Sequence, residues 1–128
     1  MNNLNAIFDG VIEDDINIKP PVAILKELGQ ELERITQGLL VTKVEQSNNG
    51  DDFYLEFYIT APSLNNYSYE VFSISHDINF YPLNVFALNQ PAKNANNQEE
   101  LEAIFKEIFS NNKVRKVING LLAQIKSA

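Results

Sequence analysis

The chain has 128 residues, 45% of them hydrophobic and 21% charged, a balance that excludes the disordered and fibrous classes and supplies enough apolar surface for one core. A formal net charge of −7 and a pI near 4.6 argue against nucleic acid, whose phosphates must be met by Lys and Arg. No cysteine is present, so disulfides, thiolate metal sites and cysteine nucleophiles are excluded.

Leu4, Ile7, Phe8, Val11 and Ile12 recur at helical spacing and predict a short amphipathic helix, weakened by Gly10. The start lacks the basic and apolar regions of a secretory leader, and no apolar run approaches the roughly 20 residues that cross a bilayer. A cytoplasmic protein without a membrane role is therefore expected. Glu13-Asp14-Asp15 interrupts the pattern and Lys19-Pro20-Pro21 forces an extended approach, so residues 1–20 read as a short helix followed by an extended segment.

A helix is predicted over residues 21–38, with Ile24, Leu25, Leu28, Leu32 and Ile35 as its apolar stripe and Gly38 as its stop. Residues 39–88 read as a four-stranded antiparallel meander. Its first strand runs from Leu39 to Gln46, its first turn covers Ser47 to Asp52 with an Asn49-Gly50 pair suited to positive φ, and its second strand runs from Phe53 to Ala61. A third strand covers Tyr67 to Ser75 and turns at His76-Asp77; Ile78, Phe80 and Val85 to Leu88 continue as the fourth, with Pro82 marking an edge or a bulge. Gln90 to Asn97 reads as an exposed connection.

Residues 98–126 predict two helices with a break near 110–112. The stripe Leu101, Ile104, Phe105, Ile108, Phe109 and the stripe Val114, Val117, Ile118, Leu121, Leu122, Ile125 differ in phase by about 140°, so one straight helix cannot bury both. The whole reads as one α+β domain, 1–128, with helices from both ends of the chain packed on one face of the sheet.

Candidate sites are few. In the second strand Phe53, Leu55, Phe57 and Ile59 share one side, and Tyr54, Glu56, Tyr58 and Thr60 the other. With Tyr67 and Tyr69 of the third strand, Tyr54, Glu56 and Tyr58 form the candidate protein-binding surface, because tyrosine combines a large ring with a polar tip. Cross-strand packing accounts for the same pattern without a partner. Charge adds a direction: residues 1–100 hold fifteen acids against five bases, and 101–128 two against five. The function expected is that of a non-enzymatic acidic interaction module, binding a basic protein or a second copy of itself.

The alternative is a small ligand-binding domain or enzyme using His76 with Asp77 or another nearby carboxylate, since a carboxylate beside an imidazole can orient it for base work. Asp77 is equally a turn residue. The carboxylate clusters Glu13-Asp14-Asp15, Asp51-Asp52 and Glu99-Glu100 lack the spacing of a metal loop, and no Gly-x-Ser-x-Gly or phosphate-cradling glycine motif is present. No metal and no cofactor is expected.

The stretch Ser75-His76-Asp77-Ile78-Asn79-Phe80-Tyr81-Pro82-Leu83, with Ile59-Thr60-Ala61-Pro62 before it and Val117-Ile118-Asn119-Gly120-Leu121-Leu122 near the end, resembles a family of small bacterial α+β proteins of unknown function. The resemblance spans nearly the whole chain. It carries over no functional residue and implies at most a bacterial cytosolic origin.

Overall fold

In the computed structural model, which describes residues 4–12 and 18–127, the chain is α+β. Helix α1 (Pro21–Ile35) precedes strands β1 (Val41–Asn49), β2 (Asp52–Ala61), β3 (Tyr67–His76), β4 (Leu83–Ala87) and β5 (Lys93–Ala95), and helices α2 (Gln98–Ser110) and α3 (Asn112–Ser127) close it. The strands form one antiparallel sheet in the order of the chain. The expected meander has four strands; the structure adds a fifth, β5, inside the segment read as a loop. Lys93-Asn94-Ala95 has little strand character of its own and is held by pairing to Leu83, Asn84 and Val85.

Helix α1 begins on Pro21, whose missing N–H costs nothing at a first helical position. It ends one turn before the predicted stop. Gln37 (φ 55°) and Gly38 (φ 80°) both adopt left-handed angles, with Gly38 N donating to Glu33 O (2.8 Å) and Gln37 N to Arg34 O (3.2 Å), the two bonds of a Schellman cap. Ile24 and Leu25 are buried as expected, but Ile35 is 64% exposed because this last turn stands clear of the core. Thr36 fixes the exit: its hydroxyl donates to Leu32 O and accepts from Leu40 N, placing the fully buried Leu40 at the start of the sheet.

The turn between β1 and β2 is tighter than the sequence suggests. Asn49 and Asp52 still pair, leaving Gly50, at φ 63°, and Asp51 as the two corner residues. The fourth strand starts later than predicted: Ile78 and Phe80 lie in the β3–β4 connection, which ends in a cis Tyr81–Pro82 bond. Asp77 has the expected turn role, its Oδ1 accepting from Asn79 N at 2.8 Å.

The helical break falls where the two stripes require it. Asn97 Oδ1 accepts from Glu100 N (2.9 Å) to start α2, and Asn111 Oδ1 accepts from Lys113 N (2.9 Å) to start α3. Leu101, Ile104, Phe105 and Ile108 of α2 and Val114 and Leu121 of α3 join one core cluster with Leu55, Phe57, Ile59, Phe72 and Ile74 of the sheet. Phe57 stacks on Phe72 at 5.0 Å, and these two rings meet Phe109 and Phe105 of α2 at 6.4 and 5.2 Å. Among the described residues no helix is long and apolar enough to cross a membrane. The predicted N-terminal helix is present only as a single 3-10 turn, Leu4–Phe8, that buries none of its residues. Glu13-Asp14-Asp15 lies outside the described residues.

Helix α1 approaches β1 so closely that a Cβ on Gly29 would sit 2.0 Å from Thr42 Oγ1 and 3.0 Å from Thr42 Cβ. Alanine would favour the helix by about 1 kcal/mol, yet overpacking costs about 1–3 kcal/mol, and the branched Thr42 side chain has little freedom to yield. Gly29→Ala is expected to lower the denaturant midpoint, and Thr42→Ala in the same chain to recover most of the loss. A Gly29→Ala protein at least as stable as its parent would show that α1 does not pack this tightly.

Candidate functional site on the open face of the sheet

Strand β2 alternates cleanly: Leu55, Phe57, Ile59 and Ala61 are buried, while Tyr54 is 37% exposed and Glu56, Tyr58 and Thr60 are half-buried. Directly opposed residues of an antiparallel pair share a face. The register therefore builds the second face outward from β2: Ser47, Glu45 and Lys43 of β1 oppose Tyr54, Glu56 and Tyr58. On the other side Ser75, Ser73, Glu70 and Ser68 of β3 oppose Tyr54, Glu56, Tyr58 and Thr60. Strand β4 adds Asn84 and Phe86 opposite Ser75 and Ser73.

Tyr67 and Tyr69 do not belong to this group. They oppose Ala61 and Ile59, on the side of β2 that faces the core, because the register shifts beside Tyr58. Phe57 opposes Phe72 and Tyr58 opposes Glu70, leaving Val71 as the extra residue of a β-bulge. Of the five residues predicted as one surface, the structure thus brings together Tyr54, Glu56 and Tyr58 and sets Tyr67 and Tyr69 on the opposite face. Tyr69 packs against the core, while Tyr67 lines a hollow with Leu64, Lys116, Val117 and Gly120.

The residues that sequence reasoning missed are Lys43, Glu45, Glu70 and Phe86. Counting back from the two-residue Gly50-Asp51 corner would have placed Glu45 beside Glu56 and Lys43 beside Tyr58. The three carboxylates occupy one patch across β1, β2 and β3. Tyr58 donates its hydroxyl hydrogen bond to Glu56 Oε2. Loss of that bond, together with burial and the Glu56, Glu45 and Glu70 charges, pushes the phenol up to about 12. Burial first, then the Glu56 carboxylate and a hydrogen bond with it, then Glu45, hold the Glu70 carboxyl above the ordinary range. Lys43 is the base within this patch, its ammonium 3.0 Å from Glu45 Oε1 and 5.1 Å from the centre of the Tyr58 ring.

The His76–Asp77 pair takes a different form from the dyad weighed above. His76 is the last residue of β3, and its Nδ1 donates to the main-chain carbonyl of Asp77 at 2.7 Å. The Asp77 carboxylate is engaged with Asn79 N instead. The ring is held between two others, stacked on Phe53 at 5.4 Å and edge-on to Phe80 at 5.8 Å. Among the described residues no group of three or more His, Asp or Glu is placed to hold a metal ion. Comparison with protein-family models, curated proteins and solved structures finds no match to this chain.

The Glu70 geometry has a consequence for stability. A carboxyl whose folded value lies above its unfolded one binds its proton more tightly in the folded chain. The resulting stabilisation is complete below the unfolded value and is lost as pH rises through the folded one. Glu70→Gln fixes the neutral state. It is expected to raise stability at pH 7 by less than about 1 kcal/mol, since the side chain is largely exposed and screened. It should also flatten the stability–pH curve just above the ordinary carboxylate range. Superimposable curves for the two proteins in urea titrations would contradict the clustering of Glu45, Glu56 and Glu70.

Proposed function

We propose that the chain is a non-enzymatic acidic interaction module whose open sheet face receives a basic segment of a partner protein. The supporting observation is the carboxylate patch itself. Among the described residues Glu45, Glu56 and Glu70 surround Tyr58 with Lys43 paired to Glu45, which leaves an excess of negative charge at a place where Glu70 is already driven toward its protonated form. Like charges this close disfavour the fold, and a cation laid over them relieves the repulsion. Lys43 is an internal example of such a contact, since it meets a carboxylate and an aromatic face together. Tyr54 and Phe86, both over one third exposed, flank the patch and offer ring surface for the stems of lysine or arginine side chains.

A face-to-face pair of identical chains would oppose two acidic patches, so this surface favours a basic protein over a symmetric homodimer. Its chemistry likewise suits lysine and arginine better than phosphate, which agrees with the acidic composition.

A lysine-rich peptide serves as the probe in calorimetry at low and physiological salt. Glu56→Gln with Glu70→Gln is expected to weaken binding at least about tenfold, equivalent to about 1.4 kcal/mol. The equally neutralising pair Glu99→Gln with Glu102→Gln, on α2, should change it little. Affinity should fall with added salt. Equal losses for the two double variants would mean that net charge alone, and not this face, attracts the peptide.

A further inference from the structure

A second surface lies at the turn end of the sheet, apart from the acidic patch. A cavity of about 370 Å³ is lined there mainly by apolar side chains, among them Pro20, Val22, Phe53, Ile78 and Phe80. Its wall is ordered: the His76 ring is clamped between Phe53 and Phe80, and its Nδ1 is engaged by Asp77 O. Phe80 sits at φ 73°, an uncommon angle for a bulky residue. Ile78, on the rim, is 71% exposed.

The same chain carries a run of apolar side chains that is not buried. Ile7 and Phe8 in the 3-10 turn, and Val11 and Ile12 just beyond Gly10, are each more than half exposed. We propose that this cavity is the seat of the chain's own N-terminal segment, residues 4–12, with Phe8 and its apolar neighbours covering Ile78 and Phe80.

Connectivity selects this seat. Pro20 and Val22 line the cavity, so the chain leaves its rim directly toward the segment. Residues 13–19 form the tether, which stretches to about 25 Å at most. The hollow beside Tyr67 and Lys116 is at the far end of β2, on the order of 27 Å away along the strand from Phe53 to Ala61, so the segment would reach it only with the tether near full extension, which the seat beside Pro20 does not require. A tether this short also gives the segment a high effective concentration at its own seat, which favours it over the same segment of a second copy. Asp9 on the segment and Asp51 and Asp77 near the rim are alike in charge, so docking should tighten as salt screens them. That response is opposite to the one expected for a basic partner on the open face, which keeps the two readings separable.

The chain has no tryptophan, so Phe8→Trp supplies a single reporter. In the full chain its emission should be blue-shifted, and acrylamide quenching several-fold weaker than for a free peptide of residues 4–12 carrying the same change. Sedimentation should show a monomer. Ile78→Asp at the exposed rim, and separately Phe80→Asn, which suits the positive φ, should restore full quenching without unfolding the chain. The proposal is overturned if quenching in the full chain equals that of the free peptide. It is also overturned if shielding occurs only in a dimer, or survives both rim changes.

Discussion

Which side chains this sheet offers to water depends on a single extra residue in β3. A strict alternation through Tyr67, Tyr69, Val71, Ser73 and Ser75 would align the two tyrosines with the serines and set them against Glu70, Phe72, Ile74 and His76. The bulge at Val71 changes the phase midway, so Tyr69 and Phe72 share the core side and Ser68, Glu70, Ser73 and Ser75 share the other. Without it Phe72 and Ile74 could join the core only by carrying Ser68 and Glu70 inward with them. The apolar cluster around Phe57 and the carboxylate patch beside Tyr58 are thus two results of one local irregularity.

The parts legible in the sequence are those where one strong period is not interrupted. Strand β2 reads directly because Leu55, Phe57 and Ile59 alternate with polar residues over its whole length, and the structure buries that side. The break at Asn111 reads because two apolar stripes of opposed phase need a bend and an asparagine is there to cap it. Strand β5 was not legible: three residues, Lys93, Asn94 and Ala95, have no strand pattern, and their conformation comes from β4 on one side and the Lys93–Glu107 ion pair to α2 on the other. Ile35 reads as a core position but is exposed, because helical periodicity continues past the point where the helix leaves the core. The acidic patch was half legible. Glu56 and Tyr58 follow from alternation, whereas Glu45 and Glu70 need the hairpin register and the bulge, which are tertiary facts.

Burial on the helical side explains how the patch is tolerated. Phe57, Ile59, Ile74 and Leu101 are fully or almost fully buried, each contributing about 1.5–3 kcal/mol relative to exposure, whereas exposed like-charge contacts cost a fraction of a kilocalorie. The fold can therefore carry a locally unfavourable surface without losing its core. Lys43 offsets part of that cost by meeting both Glu45 and the Tyr58 ring, and Tyr58 offsets more by donating to Glu56.

The edges of the sheet limit how a second chain could pair with it. A long unpaired edge invites another chain to add a strand, and proteins counter this with charge, shortness or cover. Strand β1 carries Lys43 and Glu45 along its length, and Thr42 N already donates to Glu33 Oε1 of α1 at 3.1 Å. Strand β5 has only three residues, and its Lys93 is tied to Glu107. Main-chain pairing is disfavoured at both edges by these means, and the helices occupy the core side through Phe105 and Phe109. A contact through the sheet would then fall to side chains on the remaining face, where charge and ring chemistry, and not strand addition, would set its selectivity.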